Sequence, residues 1–213
     1  EYHPDTGTLF SNWLSTEANE ANHIKRDTPV FCVIGNPPYS ISSTNKSDWI
    51  LNLLKDYKKD LNERKINLDD DYIKFIRYGQ YYIDKNGEGI LAYISNNSFL
   101  EGLTHRKMRQ NLLKSFNRVY IIDLHGNAKK KEVCCDGSAD ENVFDIMQGV
   151  SINIFIKNEK KLKQQSKEFY HIDIHGKREH KYEYLIENNL SCIKWNRINV
   201  DEPNYFFCKK DLT

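Results

Sequence analysis

The sequence feature that most constrains the fold is an uncharged run at residues 30–34, VFCVI, which leads directly into Gly35 and two prolines. Three of its five residues are β-branched, and β-branched residues are enriched in strands. A short apolar run without alternation is typical of a strand that is buried on both faces of a parallel sheet. The run therefore predicts a fully buried strand that ends at a polar loop.

The loop that follows, residues 36–39, has the sequence Asn-Pro-Pro-Tyr. Prolines fix their own φ angles and restrict the residue before them, so this backbone has few conformations available. Prolines also lack an N–H, so the loop mainly offers acceptors, which are the Asn36 side-chain oxygen and the carbonyls of Asn36 and Pro37. Tyr39 adds a flat aromatic face. Together these features predict a planar ligand with N–H groups at its edge, such as an amino-bearing nucleobase.

Asn36, Pro37, Pro38 and Tyr39, preceded by an apolar run and Gly35, resemble the Asn-Pro-Pro-Tyr signature of the N6-adenine DNA methyltransferases. The resemblance implies that Asn36 and the Pro37 carbonyl accept hydrogen bonds from the amine of a flipped adenine, while Tyr39 stacks on its ring. It also implies S-adenosylmethionine as the methyl donor, with most of the rate coming from positioning and electrostatics. The adenine must leave the duplex because its amine is otherwise paired.

The same resemblance suggests further site residues. Residues 142–152 are similar to the family segment before its last sheet strand, where an aromatic residue lines the other side of the base pocket, and Phe144 is the candidate. Pro38, Ser40 and Asn45 are expected to contact the substrate. Candidates for contact with the DNA backbone are three consecutive lysines, Lys129, Lys130 and Lys131.

The predicted fold is α/β and corresponds to the C-terminal half of a Rossmann-like methyltransferase sheet. We expect residues 30–34 and 90–94 to form parallel strands. Residues 118–124 and 150–156 are expected to complete the sheet as an antiparallel pair at its edge.

Helices are predicted between these strands. Apolar residues at three-and-four spacing indicate core-facing helices over residues 49–61 and 71–82. A further helix is expected over residues 9–24, with Thr8 as its N-cap. The last, over residues 105–116, is expected to carry a basic outer face formed by Arg106, Lys107, Arg109 and Lys114.

No strand in the sequence leads into the glycine-rich turn that opens a nucleotide-binding βαβ unit. We therefore expect the S-adenosylmethionine pocket to lie largely upstream of Glu1, in a missing portion of the same polypeptide. Residues 1–157 are predicted to form a partial catalytic domain, and residues 158–213 a segment that connects it to a target-recognition region. This arrangement resembles that of single-chain restriction–modification enzymes.

A strand predicted at residues 169–175 carries His171, Asp173 and His175 at a period of two, which places them on one face. Two histidines flanking a carboxylate can bind a metal, but no partner with metal-ligand spacing accompanies them. We interpret the three residues as an exposed strand face and predict no metal site.

Composition and charge limit the classes of protein to which this chain can belong. The net charge of +1 neither requires nor excludes DNA binding, which depends on a local basic face. Five cysteines without a Cys-x-x-Cys pair argue against a disulfide framework or zinc ribbon and favour a cytoplasmic location. No apolar run approaches the roughly 20 residues that cross a bilayer.

The predicted function is site-specific methylation of adenine N6 in double-stranded DNA by a restriction–modification enzyme. Two alternatives stay open. The Asn-Pro-Pro-Tyr motif is also similar to that of enzymes that methylate a protein amide nitrogen or an adenine in RNA. The chain can instead be a non-catalytic DNA-binding module.

Overall fold

The computed structural model describes residues 9–39, 43–63, 68–134, 136–158 and 167–210. Two short 3-10 helices, Asn97–Leu100 and Leu103–His105, lie among longer elements. In chain order the longer elements are α1 (Leu9–Asp27), β1 (Cys32–Gly35), α2 (Asp48–Lys58), α3 (Asp71–Asn86), β2 (Gly89–Asn96), α4 (Arg106–Ser115), β3 (Arg118–Asp123), β4 (Val150–Lys157), β5 (Glu168–Asp173), α5 (Arg178–Glu187) and β6 (Asn196–Arg197).

A single sheet of six strands, in the order β1-β2-β4-β3-β5-β6, organises the described residues. β1 is parallel to β2, and β4 is antiparallel to both β2 and β3. β5 is parallel to β3, and the short β6 is antiparallel to β5. The carboxyl ends of β1, β2, β3 and β5 therefore lie together at one edge of the sheet, which we call the carboxyl edge. Ligands of open α/β sheets bind at such an edge.

The α/β fold and both predicted strand pairings are confirmed. The antiparallel pair, however, lies inside the sheet and not at its edge, because β5 pairs with β3 over the whole of that strand. The alternating sequence pattern of β5 indicates a strand, but it does not indicate which strand lies beside it in the sheet. The four predicted helices are present with shifted ends, and Thr8 lies outside the described residues. The division at residue 157 stays a prediction.

The prediction that residues 30–34 form a fully buried strand is wrong for the described chain. Phe31 is 57% exposed and Ile34 is 78% exposed, whereas Val33 packs against the main core. β1 is an end strand that pairs only with β2 among the described residues. An apolar run indicates a surface that is unfavourable in water, but it does not indicate what covers that surface.

Two apolar clusters lie on opposite faces of the sheet, since Ile121 belongs to one and its neighbour Ile122 to the other. The larger cluster joins α2, α3 and α4 to the sheet. The smaller one lies near the carboxyl edge, where Tyr39, Phe144 and residues of α5 pack against it.

Arg109 does not belong to a basic outer face of α4 as predicted. Its side chain is fully buried, and the guanidinium donates to the carbonyls of Phe99 (2.6 Å), Gly102 (2.8 Å) and Asn204 (2.6 Å). A buried cation is tolerated when such acceptors replace water. The prediction was wrong because these carbonyls come from segments whose position is not evident from the helix pattern.

Candidate active site

The Asn-Pro-Pro-Tyr segment leaves the sheet at the carboxyl end of β1. Asn36 and Pro38 are exposed, Pro37 is buried, and Tyr39 is half-buried. Pro37 therefore anchors the turn while the Asn36 amide stays accessible to a ligand. Asn36 is therefore accessible at the surface, and its role as an acceptor stays a prediction.

The ring of Tyr39 lies next to the ring of Phe144, with centroids 6.2 Å apart and planes inclined by 56°. Burial raises the pKa of Tyr39 to about 12, so its phenol is neutral at physiological pH. A base stacked between two parallel rings needs centroids roughly 7 Å apart, twice the ~3.4 Å spacing of stacked bases in DNA. The two rings must therefore separate slightly and rotate to admit a base.

Asn142 fixes the position of Phe144. Its amide nitrogen donates to the carbonyls of Gly126 (2.9 Å) and Gln148 (2.6 Å), and its amide oxygen accepts from the Phe144 N–H (2.9 Å). Gly126 has φ of 75°, and a Cβ there would lie 2.4 Å from Asn142 Cα. The loop that carries Phe144 is thus closed on itself by contacts that the sequence analysis did not identify.

Lys181 of α5 stabilises the same loop through hydrogen bonds to its backbone. Its side chain is fully buried and donates to the carbonyls of Leu124 (2.7 Å) and Glu141 (2.6 Å). Its ammonium group also lies 3.0 Å from the buried Asp140 carboxylate, which accepts from the Gly126 N–H at 2.7 Å. Lysine is seldom fully buried, so nothing in the sequence pattern assigns this role to Lys181.

The remaining predicted contacts stay predictions. Ser40 lies outside the described residues, and Asn45 is exposed with its carbonyl accepting from Lys74 at 2.5 Å. The three lysines lie in an exposed turn. Lys130 is paired with Glu101 at 2.5 Å, whereas Lys129 and Lys131 extend into solvent without an ion pair among the described residues.

The prediction of an exposed face for His171, Asp173 and His175 is wrong for His171, which is buried, whereas Asp173 is exposed and His175 is half-buried. His171 is only 1% exposed because its strand lies between β3 and β6, and Asp173 Oδ1 lies 2.8 Å from Nε2 of His125. Burial alone lowers the pKa of His125, but nearby carboxylates, Asp173 foremost, outweigh this and raise it. His125 follows β3, so the parallel pairing with β5 supplies the partner that local spacing did not show.

The architecture and this strand-end site define a methyltransferase-like α/β domain. The sequence profile of the Eco57I restriction-modification methylase family matches residues 7–130, which is more than half of the chain and includes Asn36–Tyr39. The chain belongs to the Eco57I restriction-modification methylase family.

Solved structures show the same fold. The ATP-dependent Type ISP restriction-modification enzyme LlaBIII bound to DNA is 25% identical, with a TM-score of 0.75 over 95% of this chain and 14% of that one. A nuclease-deletion mutant of the Type ISP enzyme LlaGI with a DNA substrate mimic is 22% identical, with a TM-score of 0.79 over 98% of this chain and 18% of that one.

A third structure, the DrdV–DNA complex, is 23% identical with a TM-score of 0.73 over 96% of this chain and 20% of that one. The chain therefore spans a fifth or less of the length of these three proteins. No curated protein sequence matches the chain significantly. None of the described helices has the length and apolar character needed to cross a membrane.

Proposed function

We propose that this chain forms the base-binding part of a DNA methyltransferase that methylates N6 of an adenine flipped out of double-stranded DNA. The observation that carries the proposal is the exposed Asn36 amide beside buried Pro37, with the Tyr39 and Phe144 rings adjacent at the carboxyl edge. Membership of a restriction-modification methylase family supports it, as does the similarity to an enzyme whose structure is bound to DNA.

The residue types suit the chemistry of an aromatic amine. The lone pair of adenine N6 is delocalised into the ring, so the amine is a weak nucleophile. Two acceptors, the Asn36 side-chain oxygen and the Pro37 carbonyl, would hold both N–H bonds and favour the pyramidal form in which the lone pair is free. Because the methylated ammonium loses its proton readily, the mechanism needs no strong general base.

S-adenosylmethionine would supply the methyl group, and we propose that its binding site lies largely outside the described residues. No described strand leads into a turn with more than one glycine at the start of a helix, the feature that binds nucleotides in such sheets. We therefore assign none of these residues to the donor, and infer that other parts of the polypeptide bind it.

The exposed side of β1 supports this division of roles. Ile34 of this end strand, and Phe31 directly before it, place two large apolar side chains in solvent. Exposed apolar end strands are commonly covered by another element, because they otherwise promote aggregation. We propose that the donor-binding portion of the same polypeptide covers β1 and thereby brings the methyl donor beside Asn36.

Contacts to the DNA are proposed for the polar surface around this site. Pro38 lies within the base-binding turn, and Ser40 and Asn45 come after it in the sequence; all three would contact the substrate. Lys129 and Lys131 are the lysines best placed to meet phosphate, since Lys130 is already paired with Glu101. Phosphate contacts of this kind weaken with salt and carry no sequence information.

The test is transfer of labelled methyl groups from S-adenosylmethionine by the full-length gene product, offered DNA, RNA and protein separately. We expect label in DNA, and a loss of at least 100-fold in Asn36→Ala, the usual effect of removing one preorganised polar group. Asn36→Asp, which keeps an acceptor oxygen, should retain more activity than Asn36→Ala. The control is Asn52→Ala, on the exposed surface of α2.

Each other outcome has a defined meaning. Label only in RNA or protein would contradict DNA as the substrate and favour the related amide or RNA methyltransferases. No label in any substrate would favour a non-catalytic binding module. Equal activity in wild type and Asn36→Ala would contradict the role given to Asn36.

A further inference from the structure

The carboxyl ends of β3 and β5 bring together three potential metal ligands that are far apart in the sequence. His125 lies two residues beyond β3, Asp173 ends β5, and His175 follows two residues later. The parallel register that pairs Asp123 with Asp173 aligns the two strand ends. We call His125, Asp173 and His175 the histidine–aspartate cluster.

The cluster has the dimensions of a metal site. One potential ligand atom from each residue lies within 4.8 Å of the other two. The rings of His125 and His175 stack with centroids 4.0 Å apart and an angle of 18°, and His125 Nε2 lies 2.8 Å from Asp173 Oδ1. Ligands about 2.1 Å from a tetrahedral ion are roughly 3.4 Å apart, so only a small separation of these groups is needed.

Hydrogen bonding among the described residues accounts for His125 Nε2, which lies 2.8 Å from Asp173 Oδ1, but not for His175. Nδ1 of His175 is buried and has no hydrogen-bond partner among the described residues. His171, 1% exposed beside the cluster, has a ring nitrogen 3.5 Å from Asp173 Oδ2, while its Nε2 also lacks a partner in the described chain. Buried polar atoms of native proteins usually have partners, so unpaired nitrogens here indicate a missing ligand.

The neighbouring carboxylates are already committed. Asp123 Oδ1 accepts from Asn97 Nδ2 at 2.9 Å and from the His125 N–H at 3.0 Å. Asp140 is paired with Lys181. Asp173 is 42% exposed at its side chain and has no ammonium or guanidinium partner within the described residues. Its ion-pair partners in the described chain are the imidazoles of His125 and His171, so no permanently charged side chain competes with a metal ion for this carboxylate.

Two members of the cluster, His125 and Asp173, can be reached from solvent. A cavity of about 160 Å³ is lined by these two residues, Asp123 and Glu132, with Lys130, Lys209 and Lys210 also in its wall. His175, whose side chain is 35% exposed, does not line this cavity. This space can hold an ion with a bound water. Such a path from solvent is needed because the metal ion has to reach ligands that two separate loops supply.

We propose that His125, Asp173 and His175 bind one divalent transition-metal ion of the Zn²⁺ class, with water at the remaining position. Two imidazole nitrogens and one carboxylate oxygen suit Zn²⁺ and its neighbours, whereas Mg²⁺ and Ca²⁺ prefer oxygen ligands throughout. The bound ion would tie the loop after β3 to the turn between β5 and α5. That loop carries Phe144, so the ion would stabilise the wall of the proposed base pocket.

The experiment uses Co²⁺ as a spectroscopic probe for the Zn²⁺ position. The full-length gene product is treated with a chelator and titrated with Co²⁺, followed by displacement with Zn²⁺. We expect the visible absorption of a four-coordinate site. His175→Ala should weaken binding at least tenfold, and His23→Ala, an exposed histidine of α1, should leave it unchanged. Asp173→Asn, which keeps the shape of the side chain, should also weaken binding.

If His175→Ala does not fold, the affinity of Asp173→Asn for Co²⁺ tests the proposal in its place. The proposal is overturned if wild type and cluster variants bind Co²⁺ with the same stoichiometry and affinity, or if wild type does not bind it. Binding is read without methyl transfer, so this result and the outcome of the methylation assay are independent of each other.

Discussion

The two ends of the sheet differ in what they bury. At the β1 end, Phe31 and Ile34 are exposed, and the strand has one neighbour among the described residues. At the β5 end, the side chains of Lys181 and Asp140 are buried and paired with each other. The charges of this pair are balanced within this chain, whereas the apolar surface of β1 calls for another element. The proposed base pocket lies between the two ends.

The largest effect is expected from breaking the buried network. Lys181→Met leaves Asp140 as an uncompensated buried charge and two carbonyls without their donor, so we expect a loss of about 3–5 kcal/mol in the free energy of unfolding. Urea unfolding monitored by circular dichroism measures it. Lys194→Met, an exposed lysine, is the control. A loss below about 1 kcal/mol would show that the β5 end does not depend on this ion pair.

Asn142→Ala tests the link between that network and the pocket. It removes three hydrogen bonds, and we expect a destabilisation of about 1–3 kcal/mol, since the Gly126 and Gln148 carbonyls lose their donor. In the full-length gene product, methyl transfer should also fall because Phe144 is released. Unchanged activity at full stability would contradict the positioning role of Asn142.

Glu101 is expected to make a smaller, pH-dependent contribution to the free energy of unfolding. Hydrogen bonds from Lys130 and Lys210 hold its pKa near 2, below the ordinary 4.5 of a glutamate. The folded-state pKa is the lower one, so the contribution is present above about pH 4.5 and is lost as the pH falls toward 2. It should be at most about 1 kcal/mol because the pair is partly exposed.

Unfolding of Glu101→Gln at pH 6 and at pH 3 measures this contribution. We expect the variant to be less stable than wild type at pH 6 and to approach it at pH 3. Glu183→Gln, on exposed surface, should show no such change. A difference that grows toward acid would contradict the assignment.

The smallest effect is expected at the β1 end. In the 213-residue chain, Ile34→Thr should change the free energy of unfolding by at most about 0.5 kcal/mol, because Ile34 is 78% exposed. Ile121→Thr, fully buried in the main core, should cost more than about 1 kcal/mol. Similar losses at both positions would show that β1 is already covered, and the contrast between the two ends would fail.

Much of the fold could be predicted from the sequence, because it depends on local patterns. Apolar runs located β1 and β2, and the prolines located the rigid turn after Gly35. The proximity of Phe144 to Tyr39 was expected only through the resemblance to a known family, and the structure places their rings 6.2 Å apart.

What could not be predicted depends on partners that are distant in the chain. Lysine and arginine side chains are usually exposed. The burial of Lys181 and Arg109 depends on hydrogen bonds to carbonyls that lie up to 95 positions away in the sequence. His125 and Asp173 are separated by 48 residues and meet only because β3 and β5 are parallel neighbours. The exposure of Ile34 likewise depends on which strand ends the sheet.

The proposed binding of the adenine amine by Asn36 and Pro37 can be tested through the identity of the methylated nucleoside. DNA treated with the full-length gene product and isotope-labelled S-adenosylmethionine is digested to nucleosides and analysed by mass spectrometry. We predict label in N6-methyldeoxyadenosine that disappears with Asn36→Ala. Label in a methylated cytosine would contradict it.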